Sequence, residues 1–145
     1  MANDPSLAVR KAALTILKAD TPLIALVPAA SMFTQSPPAA PTMPFLRSGA
    51  PTFVPIRATC VDGGDVTMAM HCFSDGRRSG DTLVEGAEDH ACHITAAMAS
   101  ALDGQRISYG DGSIRIMVSG TQVMQDPEEA SAYHGIVNIR ARVIA

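Results

Sequence analysis

The sequence predicts an α+β fold: an antiparallel or mixed β-sheet with an N-terminal helix and one long helix packed on one face, plus a long proline-rich arm. Two observations predict it. Elements run in the order helix, strands, long helix, strands, and strands outnumber the helices that could cross between parallel neighbours. Two stretches of 3.6-residue periodicity also sit among several stretches of strict two-residue alternation.

The N-terminal helix is expected to start at Asp4-Pro5, with Asp4 as cap and Pro5 at the first helical position, where its missing N–H costs nothing. Val9, Ala13, Ile16 and Leu17 then form one apolar stripe, with Arg10, Lys11 and Lys18 pointing elsewhere. Thr21-Pro22 repeats the cap-then-proline signal and predicts a short helical turn over 23–27, ended by Pro28. Residues 31–35 read as a short strand. Between 36 and 55 lie Pro37, Pro38, Pro41, Pro44, Pro51 and Pro55. Six fixed φ angles and six missing donors exclude a helix or a central strand, so 36–55 is expected to be an arm that makes contacts, with brief edge pairing at 45–47.

A hairpin is expected next: strands 56–61 and 66–73 around a tight turn at Asp62-Gly63-Gly64-Asp65. Val66, Met68, Met70 and Cys72 alternate with Thr67, Ala69, His71 and Phe73, so one face of this strand is core. Polar residues 74–80 make a surface connection. From 81 to 102, Val84, Ala87, Ala91, Ile94, Met98 and Ala101 recur at steps of three and four. Asp81 is the expected cap of this helix, Glu85, Glu88 and Asp89 suit its positive end, and Gly104 stops it. Asp111-Gly112 marks a second hairpin between 105–109 and 113–118, and Asp126-Pro127 starts a turn that leads into a final strand over 133–144.

The 145 residues fit one domain, 1–145, with one sizeable core. Hydrophobic residues make up 47% and aromatics 4%, so the core must be built from Ala, Val, Ile, Leu and the eight methionines. A net charge of −3, with only two lysines, argues against gripping nucleic acid through phosphates. An acidic start at Met1–Asp4 without an apolar segment, no membrane-length run, and an odd count of cysteines (Cys60, Cys72, Cys92) lead to the expectation of reduced thiols in a protein folded in the cytoplasm.

No phosphate-binding loop, dinucleotide fingerprint or nucleophile elbow occurs. His90, Cys92 and His93, with His71 or Cys72 in reserve, form the sharpest chemical suspicion, because His90 and His93 lie three apart on the long helix. The spacing matches no standard zinc site, and Ala91 and Ile94 facing the core would leave His90 and His93 on the solvent flank. His134, preceded by Asp126, Glu128 and Glu129, lacks the positioned partner a general base needs. Arg140 and Arg142 share one face of the last strand, where they are solvated or form ion pairs across an interface. No catalytic, cofactor or metal residue is assigned, and no enzyme activity is expected.

An ordered set of features runs nearly end to end. It comprises Asp4-Pro5-Ser6-Leu7 opening a helix that closes in Leu17-Lys18-Ala19-Asp20; a pre-strand at 41–46; His71-Cys72-Phe73-Ser74 ending an alternating strand; the Ala-rich helix to Leu102; and Asp126-Pro127, His134-Gly135 and Arg140-Ala141-Arg142. In this it resembles the tail-completion (tail-terminator) proteins of long-tailed, siphovirus-like phages and gene transfer agents; 48–59 departs in being richer in proline. The resemblance implies a structural virion protein, assembled in the bacterial cytoplasm, that forms a homo-oligomeric ring of six. The ring would cap the head-proximal end of the tail tube, stop its polymerisation and meet the head-side stopper or connector. DNA would pass through the channel without specific binding. The proline-rich arm and the 126–135 turn are then the expected contact surfaces. Three competing readings are a head-completion or stopper protein of the same joint, a small cytosolic ligand- or metal-binding domain using His90 and His93, and an adaptor unrelated to phage.

Overall fold

A computed structural model describes residues 4–58 and 60–144. Helix α1 spans Ser6–Ala19. Pro5, not Asp4, holds the N-cap position and Ser6 is the first helical residue, so both positions lie one place later than expected; Asp4 Oδ1 accepts from the Ser6 amide at 2.9 Å just ahead of the helix. Val9, Ala13, Leu14 and Leu17 are buried. Asp20, not Thr21, caps the short α2, Thr21–Ile24, by accepting from the Leu23 amide at 3.1 Å. After a 3-10 turn at Ala29–Ser31 come β1, Met32–Phe33, and β2, Phe45–Ser48.

The main sheet has seven strands, adding β3, Thr52–Ala58; β4, Val61–Ser74; β7, Arg106–Tyr109; β8, Gly112–Gln125; and β9, Tyr133–Ile144. Its order is β1-β2-β4-β9-β8-β7, with β3 also on β4. Only β1 and β2 run parallel, so the sheet is mixed. β2 and β3 lie end to end along the same edge of β4, bridged by the Gly49 amide donating to the Ala69 carbonyl at 2.7 Å.

Eight of the twenty residues of the expected arm, 45–48 and 52–55, are therefore sheet. Pro55 sits within β3, whose far side carries no strand among the described residues, and a missing N–H is tolerated on such an edge. The rest of this region, 34–44 and 49–51, lies outside the strands. The expected turn at Asp62-Gly63-Gly64-Asp65 is also corrected. Ala58 pairs with Val61, so the chain reverses there, with Cys60 at φ +66°; the expected strand 56–61 includes residue 59, which lies outside the described residues. Gly63 and Gly64 belong to β4, and their function is close approach. A Cβ on Gly63 would stand 2.0 Å from the Val143 carbonyl oxygen, and one on Gly64 2.4 Å from the Phe53 ring.

The long helix is shorter than expected. α3 spans Ala87–Leu102, and residues before it form a separate two-stranded ribbon, β5 (Arg77–Ser79) with β6 (Thr82–Glu85). Asp81 lies in the ribbon's turn instead of capping a helix, and Val84 is 46% exposed. The step of three from Val84 to Ala87 mimicked helical spacing, whereas Gly80 and Gly86 break the chain on either side of Thr82-Leu83-Val84. β7 and β9 follow the sequence pattern; the turn falls at Gly110-Asp111, one residue before the expected Asp111-Gly112, and β8 continues past the expected end at 118 to Gln125.

α3 lies across β4, β9 and β8, and α1 packs on α3. Val66, Met68, Met70, Cys72, Ile114, Ile116, Val137, Ile139, Ala141 and Val143 face them and are buried. Met70 and Met98, both fully buried, fill the centre in place of aromatics. Among the described residues, the opposite face of the sheet carries no helix.

Candidate assembly surfaces

The sheet separates the histidines and cysteines that the sequence suggested as a cluster. His90, in the first turn of α3, is 1% exposed and not on the solvent flank; its Nδ1 lies 2.7 Å from Ser74 Oγ at the end of β4. Burial holds it below the usual histidine range, so it is neutral at pH 7. His93 and Cys92 are exposed, and His93 Nδ1 lies 3.0 Å from Glu85 Oε1. Cys72 is buried 3.4 Å from Thr95 Oγ1, and burial pushes its thiol up to about 11, leaving it unreactive. His71 and His134 are on the other side of the sheet. Among the described residues, no three of His, Cys, Asp and Glu are grouped as a metal would need.

The helix-free face carries a row of rings. Phe33 and Phe45 have centroids 6.3 Å apart, Phe45 stacks on Phe73 at 4.8 Å, and Phe73 stacks on His134 at 4.4 Å. The row follows from register: Phe45 is opposite Phe73, which is opposite His134, on three neighbouring strands. Arg47 lies 5.7 Å over the Phe73 ring. His71 Nδ1 and His134 Nε2 are 2.7 Å apart, one nitrogen donating and the other accepting.

Burial first, then Arg47 and the neighbouring His134, lower His71 to about 4; burial and Arg47 also lower His134, against a smaller upward pull from Asp126. The folded protein thus binds these protons more weakly than the unfolded chain, whose histidines titrate near 6.5. Stability is expected to be full above about pH 6.5 and to fall as pH is lowered towards 4, by roughly 1–2 kcal/mol allowing for partial solvent access. Urea midpoints at pH 7.5, 5.5 and 4.5 measure this. His71→Gln with His134→Gln should flatten the profile in part, leaving the share of His90, and an unchanged slope would refute the assignment. Asp65 acts in a lower window, below about pH 4, because its hydrogen bond to Arg142 lowers its pKa.

Arg140 and Arg142 find their partner within the chain. Asp65 accepts from Arg140 at 2.6 Å and from both Nε and a terminal nitrogen of Arg142, the latter at 3.1 Å. Beside them, Arg115, Arg140, Arg142 and Met117, which is 49% exposed, line a cleft of about 270 Å³. The turn between β8 and β9 is exposed and acidic but internally braced: the Asp126 amide donates to the Ala132 carbonyl at 3.0 Å, and Ser131 Oγ to Glu129 Oε1 at 2.9 Å. The β5–β6 ribbon presents Leu83 at 51% and Val84 at 46% exposure. A lone two-stranded ribbon is marginal in water, so this one is suited to leaning on a neighbour. Sequence reasoning missed it, although Gly76, Gly80 and Gly86 at near-regular spacing around short apolar runs were the available signal.

Residues 11–144 match the family model described as tail completion protein gp17. The fold is similar to a chain from the virion of a native gene transfer agent particle, with a TM-score of 0.77 and 18% identity over 99% of this chain and 100% of that one. It is also similar to the gp17 protein of bacteriophage SPP1, with a TM-score of 0.56 and 22% identity over 94% of this chain and 88% of that one. At these identities the likeness is one of fold. No curated protein sequence matches the chain.

Proposed function

We propose, from the premise that this chain belongs to the tail completion protein gp17 family, that it is a virion protein acting as a tail terminator. In this reading 1–145 works as one domain, and six copies close into a ring on the head-proximal end of the tail tube. There the ring stops tube polymerisation and offers its other side to the head-side stopper. The observation that carries the reading is the family match across nearly the whole chain.

The physics supports it. A head-to-tail contact between identical subunits makes a ring when its rotation closes. The β5–β6 ribbon and the acidic 126–132 turn are two different exposed features, as such a contact requires. A net charge of −3 per copy disfavours adhesion to phosphates, so DNA slides through the channel unbound. In this reading the chain acts by contact and not by catalysis. Particles assembled without it are expected to carry tails of uncontrolled length, or tails not joined to heads, by electron microscopy. Normal joined tails would refute the role.

A further inference from the structure

The buried histidine at the start of α3 is half-satisfied, and it lines a cleft. Ser74 Oγ accepts from the Gly76 amide at 3.0 Å and lies 2.7 Å from His90 Nδ1. The Ser74 hydroxyl proton has one acceptor within reach among these contacts, His90 Nδ1. That arrangement places the neutral ring's own proton on Nε2, which is buried and has no partner among the described residues. His90 lines a cleft of about 500 Å³ with Asp75, Arg77 and Arg78. Ala25, Leu26, Met43 and Pro44 supply an apolar wall. The uncapped N-terminus of α3 lies alongside: Gly86 gives no side-chain cap, and a Cβ on Gly76, another lining residue, would sit 3.5 Å from the Ala87 amide nitrogen. A buried donor, two arginines and a helix N-terminus together call for an anionic oxygen.

We infer that this cleft is a socket for a glutamate carboxylate from the Glu128-Glu129 turn of a neighbouring copy, with His90 Nε2–H at its floor and Arg77 and Arg78 at its rim. The inference rests on the ring reading and deepens it. A DNA backbone is the poorer occupant, because a duplex phosphate cannot reach a donor buried behind a rim, and Asp75 offsets part of the charge. The apolar wall suits the stem of a glutamate. Socket and turn also lie at the same end of the sheet, since Ser74 is opposite Tyr133 and Tyr133 opposite Gln125. A contact between two features at one level can close a flat ring without the rise that makes a filament.

Two measurements on the full chain test this. First, ring-nitrogen NMR shifts of His90 are followed while a peptide of residues 122–133 is added, against the same peptide carrying Glu128→Gln and Glu129→Gln, and against inorganic phosphate. A saturable shift with the acidic peptide, weakened roughly tenfold or more by the Gln changes, supports the socket. No shift, or an equal response to phosphate and both peptides (an adventitious ion only), overturns it. Second, Arg77→Glu/Arg78→Glu and Glu128→Arg/Glu129→Arg proteins are analysed separately and mixed by sedimentation. Oligomer lost in each and regained in the mixture supports the assignment. Oligomer retained in both overturns it. A wild-type chain that never oligomerises, yet binds the acidic peptide, would sink the ring and leave the socket standing.

Discussion

Gly135→Ala is expected to cost about 3 kcal/mol of stability, at the upper end of what one added methyl does in a well-filled core, and to lower the melting temperature by roughly 10 °C. Gly135 is in β9, directly beneath α3. A Cβ there would stand 2.1 Å from Thr95 Oγ1 and 2.5 Å from Cys72 Sγ. Neither atom gives way without cost. Thr95 is tied to the Ala91 carbonyl at 2.7 Å, and Cys72 lies in β4 between two paired strands. Relief therefore requires lifting α3 off the sheet, which loosens Ile94 and Met98 in the core. Thr95→Ala with Cys72→Ala should recover part of the loss in the Gly135→Ala background, because both clashing atoms go. Gly120→Ala is the control: nothing lies within 4 Å of its added methyl, so its effect is expected within about 0.5 kcal/mol. Thermal melts of the four proteins decide it. A Gly135→Ala protein as stable as the control would mean that α3 sits further from β9 than described.

Leu83→Asp with Val84→Asp is expected to leave the isolated fold within about 0.5 kcal/mol of wild type, since both side chains are about half exposed. Assembly should respond very differently. If the β5–β6 ribbon seats on a neighbour, the change forfeits two apolar contacts of roughly 1.5–3 kcal/mol each and forces carboxylates into the contact. At 1.4 kcal/mol per decade, this lowers association by at least about a hundredfold. The readout is complementation of particles lacking the chain, scored as joined tails by electron microscopy, with urea denaturation as the check that folding survives. Wild-type complementation by the double variant would exclude the ribbon from the interface. Because the same ribbon carries Arg77 and Arg78, the rim of the His90 socket, with Arg78 paired to Leu83, that outcome would overturn the socket as well.

Much of the fold was legible because its signals are local. Alternation from Val66 to Cys72 and from Gly135 to Val143 marks strands with one buried face, and it does so whatever pairs with them. The 3.6-residue stripe through Ala91, Ile94, Met98 and Ala101 likewise announces a helix on a sheet. Errors arose where a local signal has two physical causes. Asp62-Gly63-Gly64-Asp65 has turn composition, but glycine serves close approach as well as positive φ, and only the positions of β3 and β9 tell which. Pro55 reads as a strand breaker unless the strand is known to lie at an edge. Val84 fits a helical step, and the ribbon it belongs to is decided by pairing with Arg77–Ser79.

The candidate surfaces were less legible still. His90, Cys92 and His93 are close in sequence, yet the helix turns one inward and leaves two in solvent. His71 and His134 are 63 residues apart and come within 2.7 Å through register alone. By itself the sequence determined a methionine-rich α+β core, the helices and most strands, the absence of a recognisable catalytic motif, and a resemblance that the family match confirmed. Tertiary structure alone decided which polar groups meet, which glycines are crowded and where apolar side chains remain uncovered. The physical reason is that periodicity fixes the face on which a side chain stands. Strand order and register fix what stands opposite it, and contacts between distant segments leave no trace in the spacing of either one.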